Sequence, residues 1–107
     1  MFSIKEKAMR IYDDKIKAHA RQTLQSITVT PGLGLFNYKC FNNSVDFAIK
    51  NKNHDVVEVF YIDYGKPVLH YINISQKGVY IDNTLGYTAK GMEFYFIRLV
   101  VTICLGS

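Results

Sequence analysis

The sequence predicts an α+β domain: an N-terminal helix and a second, cysteine-bearing helix packed on an antiparallel β-sheet of three to five strands. Two observations carry that expectation. Apolar residues recur at three- and four-residue steps across residues 3–25 and again across 40–51, the period of an amphipathic helix. From residue 56 onward, Val, Ile, Phe and Tyr dominate short runs separated by glycine-bearing turns, the pattern of strands.

The bulk properties bound what such a domain can be. With 107 residues there is room for one domain and one core, read as a lead-in over residues 1–30 and a helix-plus-sheet core over 31–107. Apolar side chains make up 49% of the chain and aromatic ones 14%, enough for a packed interior and too much for a disordered chain. The net charge of +4 is modest and its basic residues are scattered, so a nucleic-acid footprint is not indicated. The first residues contain no apolar signal-peptide core, and the longest apolar run, residues 99–105, falls far short of the ~20 residues a membrane helix needs. Two cysteines without an export signal fit free thiols in a reducing compartment, which makes a cytoplasmic protein the expectation.

Taken in order, Ser3 caps the first helix with Glu6 as its capping-box partner. Ile4, Ala8, Ile11, Tyr12, Ile16, Ala20 and Leu24 give it one apolar stripe, with Lys5, Lys7, Arg10, Lys15, Lys17 and Arg21 mostly on a solvated face. Residues 26–30 are a short β-prone stretch. Residues 31–37 are irregular, holding Pro31, Gly32 and Gly34. That Gly-x-Gly lacks the third glycine and the Lys-Ser/Thr pair of a phosphate loop; its role is close backbone approach, walling a cleft beside Cys40. In the second helix, Phe41, Val45, Ala48 and Ile49 cluster on one face at about 100° per residue, and Cys40 falls at the rim of that face. Strands follow over residues 56–62, 68–74 and 79–83. Residues 93–104 form a long apolar strand, expected to be central, with Cys104 as an inert core residue.

The chemistry concentrates on Cys40. A thiol in the first turn of a helix meets unpaired N–H groups and partial positive charge, both of which favour thiolate. Strand alternation puts Val68, His70, Ile72 and Ile74 on one face, the side a helix would cover. An acidic or amide side chain follows one strand later, at Asp82 or Asn83. Thiol, imidazole and orienter are the parts of cysteine-dependent acyl transfer. The Cys40 N–H, with a second donor such as Asn43, can hold a developing oxyanion. A two-residue turn at Gln76-Lys77 sets His70 opposite Asn83, whereas a third turn residue or a bulge is expected to bring in Asp82; spacing alone leans to Asn83. Cys40, His54, His70 and Asp82 lack the paired spacing of metal ligands, and no cofactor motif is present.

The string Cys40-x-x-Asn43-Ser44 on a helix, then His70 with the aromatic Tyr71, then Tyr80-Ile81-Asp82-Asn83-Thr84, resembles the core of transglutaminase-like and papain-like cysteine enzymes. In that pattern a helix-leading Cys precedes a strand reading His-small-aromatic and then a strand ending Asp-Pro-Thr. The likeness covers residues 37–87. Two positions depart from it: Tyr71 directly follows His70, and Asn83 stands where Pro is common. The Asp-x-Thr signature implies Asp82 as the orienter, with Asn83 second. The small size also resembles accessory proteins of bacteriophages. What the resemblance implies is a small enzyme that hydrolyses, deamidates or exchanges amide or acyl bonds of a protein or other amide-containing substrate, through Cys40, His70 and Asp82. The alternative is a non-catalytic interaction module or inhibitor on the same scaffold.

Overall fold

The computed structural model describes residues 3–101. The first helix, α1 (Ile4–Thr23), starts where expected: Ser3 is its N-cap and its Oγ accepts the Glu6 N–H. Its apolar residues do not form a single buried stripe. Steps of four residues drift by about 40° per step around the helix, so the apolar positions wind round it. Ile16, Ala20 and Leu24 reach the sheet and pack with Phe60, Ile62, Tyr95 and Ile97. Ile4 and Ile11, 89% and 58% exposed, point to solvent.

The remaining elements are β1 (Gln25–Ile27), β2 (Val29–Pro31), α2 (Cys40–Lys50), β3 (His54–Asp63), β4 (Lys66–Ser75), β5 (Tyr80–Asp82), a 3-10 turn (Gly86–Ala89) and β6 (Phe94–Val101). The fold is α+β, but the sheet has six strands rather than three to five, in the order β1-β6-β3-β4-β5-β2. It is also mixed: β2 runs parallel to β5 while every other pair is antiparallel. Both differences come from the short β-prone stretch. It divides at Thr28, its first part pairing with β6 and its second with β5. Because the two edge strands are consecutive in the chain, the sheet must curl until its edges meet.

Inside the curl lie Ile27, Val29, Val57, Val59, Tyr61, Ile72 and Phe94, a core fed by alternate residues of nearly every strand. The strand buried on both faces is β3, where Val56, Val57, Val59, Phe60 and Tyr61 are all buried. The C-terminal strand, expected to be central, instead sits between β1 and β3 and leaves Leu99 exposed. Cys104 lies outside the described residues.

Two turns set the register that positions the site. Tyr64 and Gly65, with φ of 48° and 80°, make a two-residue hairpin whose twist matches the strands it joins. It locks β3 to β4 over ten pairs, including Val59↔His70. Between β4 and β5 the turn has three residues, Gln76-Lys77-Gly78, with Gly78 at φ 83° and the Ser75 N–H bonded to the Val79 carbonyl. The resulting register pairs Ile74 with Tyr80 and Asn73 with Ile81. The lean to Asn83 is thereby corrected, while the alternative with a third turn residue holds in bringing Asp82 to His70, though not directly across from it. The third turn residue moves the strand so that Asp82 falls beside Ile72, diagonal to His70 on the same face, and Asn83 points elsewhere.

Candidate active site

The site forms where β5 stops pairing with β4. On this stretch of β4, odd-numbered residues turn their N–H and C=O toward β5, as the Ser75–Val79 bond shows. Among the described residues no strand takes them up beyond Asn73, and the start of α2 occupies the gap. The Ser44 hydroxyl shares its one proton between the Tyr71 carbonyl at 3.0 Å and the Cys40 carbonyl, one turn back, at 2.8 Å. Phe41 sets its ring edge-on to Tyr71, with centroids 5.1 Å apart.

Asn73, Ser44 and Asn83 complete the anchorage. The Asn73 amide, wholly buried, donates to the Ser44 carbonyl at 2.8 Å and to the Asp55 carbonyl at 3.2 Å. Its oxygen accepts from Asn83 at 3.1 Å. A buried polar chain thus ties α2 to β4 and β5, and unmaking any link would strand a desolvated group.

His70 is 4% exposed and faces the interior of the curled sheet, against Tyr61 at 5.0 Å and Phe94 at 6.5 Å between ring centroids. That face is not the one α2 covers, contrary to the sequence expectation: α2 rests on the opposite side, over Tyr71 and Asn73. Cys40 reaches the imidazole because it is the first residue of its helix and sits at the free edge of β4. Helix and histidine meet around the strand rather than across it.

The His70 Nε2 lies 2.8 Å from Asp82 Oδ2. Asp82 is fully buried, and its other oxygen accepts the Thr84 and Leu85 N–H groups at 3.0 and 2.9 Å. Those two bonds fix the carboxylate so that one oxygen is committed to the backbone and the other to the ring. With Nε2 taken, Nδ1 is the ring nitrogen left for Cys40.

The electrostatics follow from this geometry. The hydrogen bond with His70 holds the Cys40 thiol below its ordinary value; partial burial works against it, and backbone bonds from Tyr71 and Phe41 assist. For His70, burial disfavours the charged ring, but hydrogen bonds and charge from Asp82 and Cys40 overcome this and raise it to about 9. A thiol moved down and an imidazole moved up favour a thiolate–imidazolium pair near neutral pH. Tyr61 is pushed up by burial and by the negative charge of Asp63, Asp82 and Cys40.

No family model, curated protein or solved structure matches this chain. Among the described residues no group of three or more His, Cys, Asp or Glu side chains is arranged to hold a metal ion. No helix there is long and apolar enough to cross a membrane.

Of the five residues singled out from the sequence, three converge: Cys40, His70 and Asp82. Asn83 is not on the ring; its oxygen accepts the Leu33 N–H at 2.9 Å and its amide holds Asn73. Asn43 is buried, and its amide donates to Thr84 Oγ1 and to Asn37 Oδ1, each at 2.8 Å. It therefore braces the loop ahead of Cys40 rather than offering a free donor. His54 is engaged at the other end of α2, with Nδ1 at 3.3 and 3.1 Å from the Asn51 and Lys52 carbonyls.

Sequence reasoning missed Asn73 and Ser44 as positioning residues. The signal for Asn73 was an amide flanked by Ile72 and Ile74 in an otherwise apolar strand. The close backbone approach expected of the glycines, by contrast, is present in the structure. A Cβ on Gly32 would lie 2.2 Å from Asn83 Oδ1, and one on Gly86 would lie 2.6 Å from the Gly34 Cα. Backbone bonds from Gly32, Gly34, Leu35 and Phe36 to residues 82–84 fasten this loop beside the site.

Proposed function

We propose that the chain is a small cysteine-dependent enzyme acting on amide or acyl bonds, of the transglutaminase-like and papain-like type. One observation carries this reading: a buried imidazole bridges a buried carboxylate at 2.8 Å and a helix-leading thiol whose anionic form it favours. In the reaction, the Cys40 sulfur attacks the carbonyl carbon and the π electrons move to oxygen. The Cys40 N–H at the uncapped start of α2 supports that charge. His70 gives its proton from Nδ1 to the leaving amine, the C–N bond breaks, and a thioester remains on Cys40. His70 then takes a proton from water or from a second amine as that nucleophile displaces the sulfur. Asp82 stabilises the imidazolium and holds the ring in place throughout.

The test is the alkylation of Cys40 by iodoacetamide at pH 7. The reading expects rapid labelling at this single position and a large slowing in His70→Ala. Equal and sluggish labelling of both proteins would remove it.

A second reading, a non-catalytic interaction module, draws on the outward half of α1, where Ile4, Met9, Ile11 and Tyr12 are all more than half exposed. Under it, Cys40→Ala retains every activity of the wild type.

A further inference from the structure

Two features beside Cys40 take no part in the proton transfers above. The first is an apolar platform on the loop that leads into α2 and on the 3-10 turn against it. Leu33, Leu35, Phe36, Tyr38, Phe41 and Tyr87 are between 42% and 98% exposed. The backbone beneath them is fixed, through bonds to Asp82, Asn83 and Thr84. Phe36 and Tyr38 sit at φ 50° and 59°, a left-handed conformation that large side chains rarely adopt. A fold keeps such geometry only where its surroundings over-determine it, and these positions cluster at ligand-binding sites. Phe36 is further held by the edge of Tyr87, 5.9 Å away between centroids.

The second feature is the open edge of β4. By the alternation that points the Tyr71 backbone at Ser44 and Cys40, Leu69 turns its own N–H and C=O to the same side. The β4–β5 pairing ends at Asn73, and among the described residues no backbone bond takes up Leu69 there. Leu69 is itself 64% exposed. A donor and an acceptor side by side on a strand edge are complementary to the backbone of an extended peptide.

We propose that the substrate of Cys40 is a polypeptide held in extended form, its backbone paired with Leu69 on the β4 edge and its large apolar side chains seated on the Leu33–Phe41 platform. This rests on the enzymatic reading of Cys40 and His70 and gives that site its substrate class. Small molecules are recognised by concave pockets that enclose most of their surface. Side chains that stand exposed on a braced loop are covered by a polymer instead. Both features reach the sulfur: the platform runs directly into Cys40, and Leu69 lies one alternation from Tyr71.

The test measures alkylation of Cys40 by three probes: acetyl-Leu-Phe-Gly chloromethyl ketone, acetyl-Asp-Ser-Gly chloromethyl ketone and iodoacetamide. In each peptide probe the sulfur forms a bond to the methylene carbon and chloride leaves with the bonding pair. The apolar peptide labels the wild type about tenfold or more faster than the acidic one, the scale set by covering large apolar side chains.

Leu69→Pro deletes only the N–H that faces away from β3, and Pro67 already occupies an equivalent position on this edge. Leu69→Pro slows both peptide probes alike and Leu69→Ala slows neither, whereas the apolar advantage shrinks in the double variant Phe36→Asn/Tyr38→Asn, whose asparagines tolerate positive φ. Iodoacetamide labels all of these at the wild-type rate, which also reports that the variants are folded. Equal rates for the two peptide probes in the wild type, an advantage undiminished in the double variant, or peptide labelling unchanged in Leu69→Pro would overturn the proposal while leaving the thiol reactive. Slow iodoacetamide labelling that does not change in His70→Ala would instead strike the underlying reading.

Discussion

Replacing Asp82 by Asn separates charge from shape at the most deeply buried part of the site. The two side chains have nearly the same outline, so the packing is conserved. The amide, however, has only one oxygen. In the native protein Oδ1 accepts two backbone N–H groups, from Thr84 and Leu85, while Oδ2 accepts from His70. An asparagine that keeps the two backbone bonds must turn its NH2 group toward His70 Nε2. The ring then has to accept there, so its remaining proton moves to Nδ1 and the imidazolium is opposed by a donor. A hydrogen bond to a charged group contributes about 1.5–3 kcal/mol, and each pKa unit corresponds to about 1.4 kcal/mol. The His70 pKa, about 9 in the native protein, therefore drops by about 1–2 units, more if the lost Coulomb attraction is large. Cys40 loses its counter-ion and its thiol moves back up.

Iodoacetamide labelling at pH 7 is expected to slow by about 10–100-fold, with the change tracking the loss of ion pair. Labelling rates measured from pH 5 to 10, alongside a thermal melt to establish folding, provide the assay. A rate–pH profile superimposable on the wild type would refute the claim that Asp82 governs the ring.

The remaining expectations concern pH, the buried amides and the glycine contact. The labelling rate of the wild type should rise as pH passes the lowered Cys40 value; if activity also needs the His70 proton, turnover falls again as pH passes about 9. The sign for stability follows the same shift. A ring whose folded pKa is raised contributes stability that is complete below the ordinary histidine value of 6.5 and lost as pH rises through about 9, a loss visible as a lower melting temperature in His70-containing protein relative to His70→Gln. Asn73→Ala strands the Ser44 carbonyl and the Asn83 amide in a dry interior; at about 1–3 kcal/mol for each stranded group, denaturant titration should show a loss of several kcal/mol. Gly86→Ala drives a methyl group onto the Gly34 backbone at 2.6 Å from a residue at φ 55°, so chemical denaturation should show a loss of about 2 kcal/mol or more, with slowed Cys40 labelling as the loop shifts. In contrast, a Cβ added at Gly65 or Gly78 would meet nothing within 4 Å, and alanine there meets only the conformational penalty of positive φ.

What the sequence made legible was local. The N-cap at Ser3, the start of α2 at Cys40 and the core position of His70 all follow from spacing within one element, and each agrees with the structure. Asp82 was reached differently, from a signature of residue types, because the turn between β4 and β5 sets its register. A single additional residue in that turn carries every side chain of the following strand to a new neighbour. The contact that resulted is diagonal, which neither simple register anticipates. Counting strands failed for a related reason. The residues around Thr28 look like one weak strand, and nothing in their composition says that they bond to opposite edges of the sheet. The same holds for α1: periodicity reports which residues are apolar, whereas only the docking angle decides which of them are covered. Asn73 stood out as an amide in an apolar strand, but what it anchors did not, because its partner, the Ser44 carbonyl, is backbone and leaves no mark in the sequence.

The junction at Thr28 has a mechanical consequence for the chemistry. Residues 25–31 act as a clasp, since one short stretch fastens both margins of the sheet. On one side it holds β6; on the other, Pro31 lies against Asp82 and the Gly32 N–H bonds the Asp82 carbonyl at 2.9 Å. If the clasp loosens at β6, the strand that carries the carboxylate loses its outer support as well. The aim of Asp82 at His70 is thus insured by contacts on the far margin of the molecule. Amide protons of β2 and β5 should exchange with solvent in step with those of β1, as a single opening event.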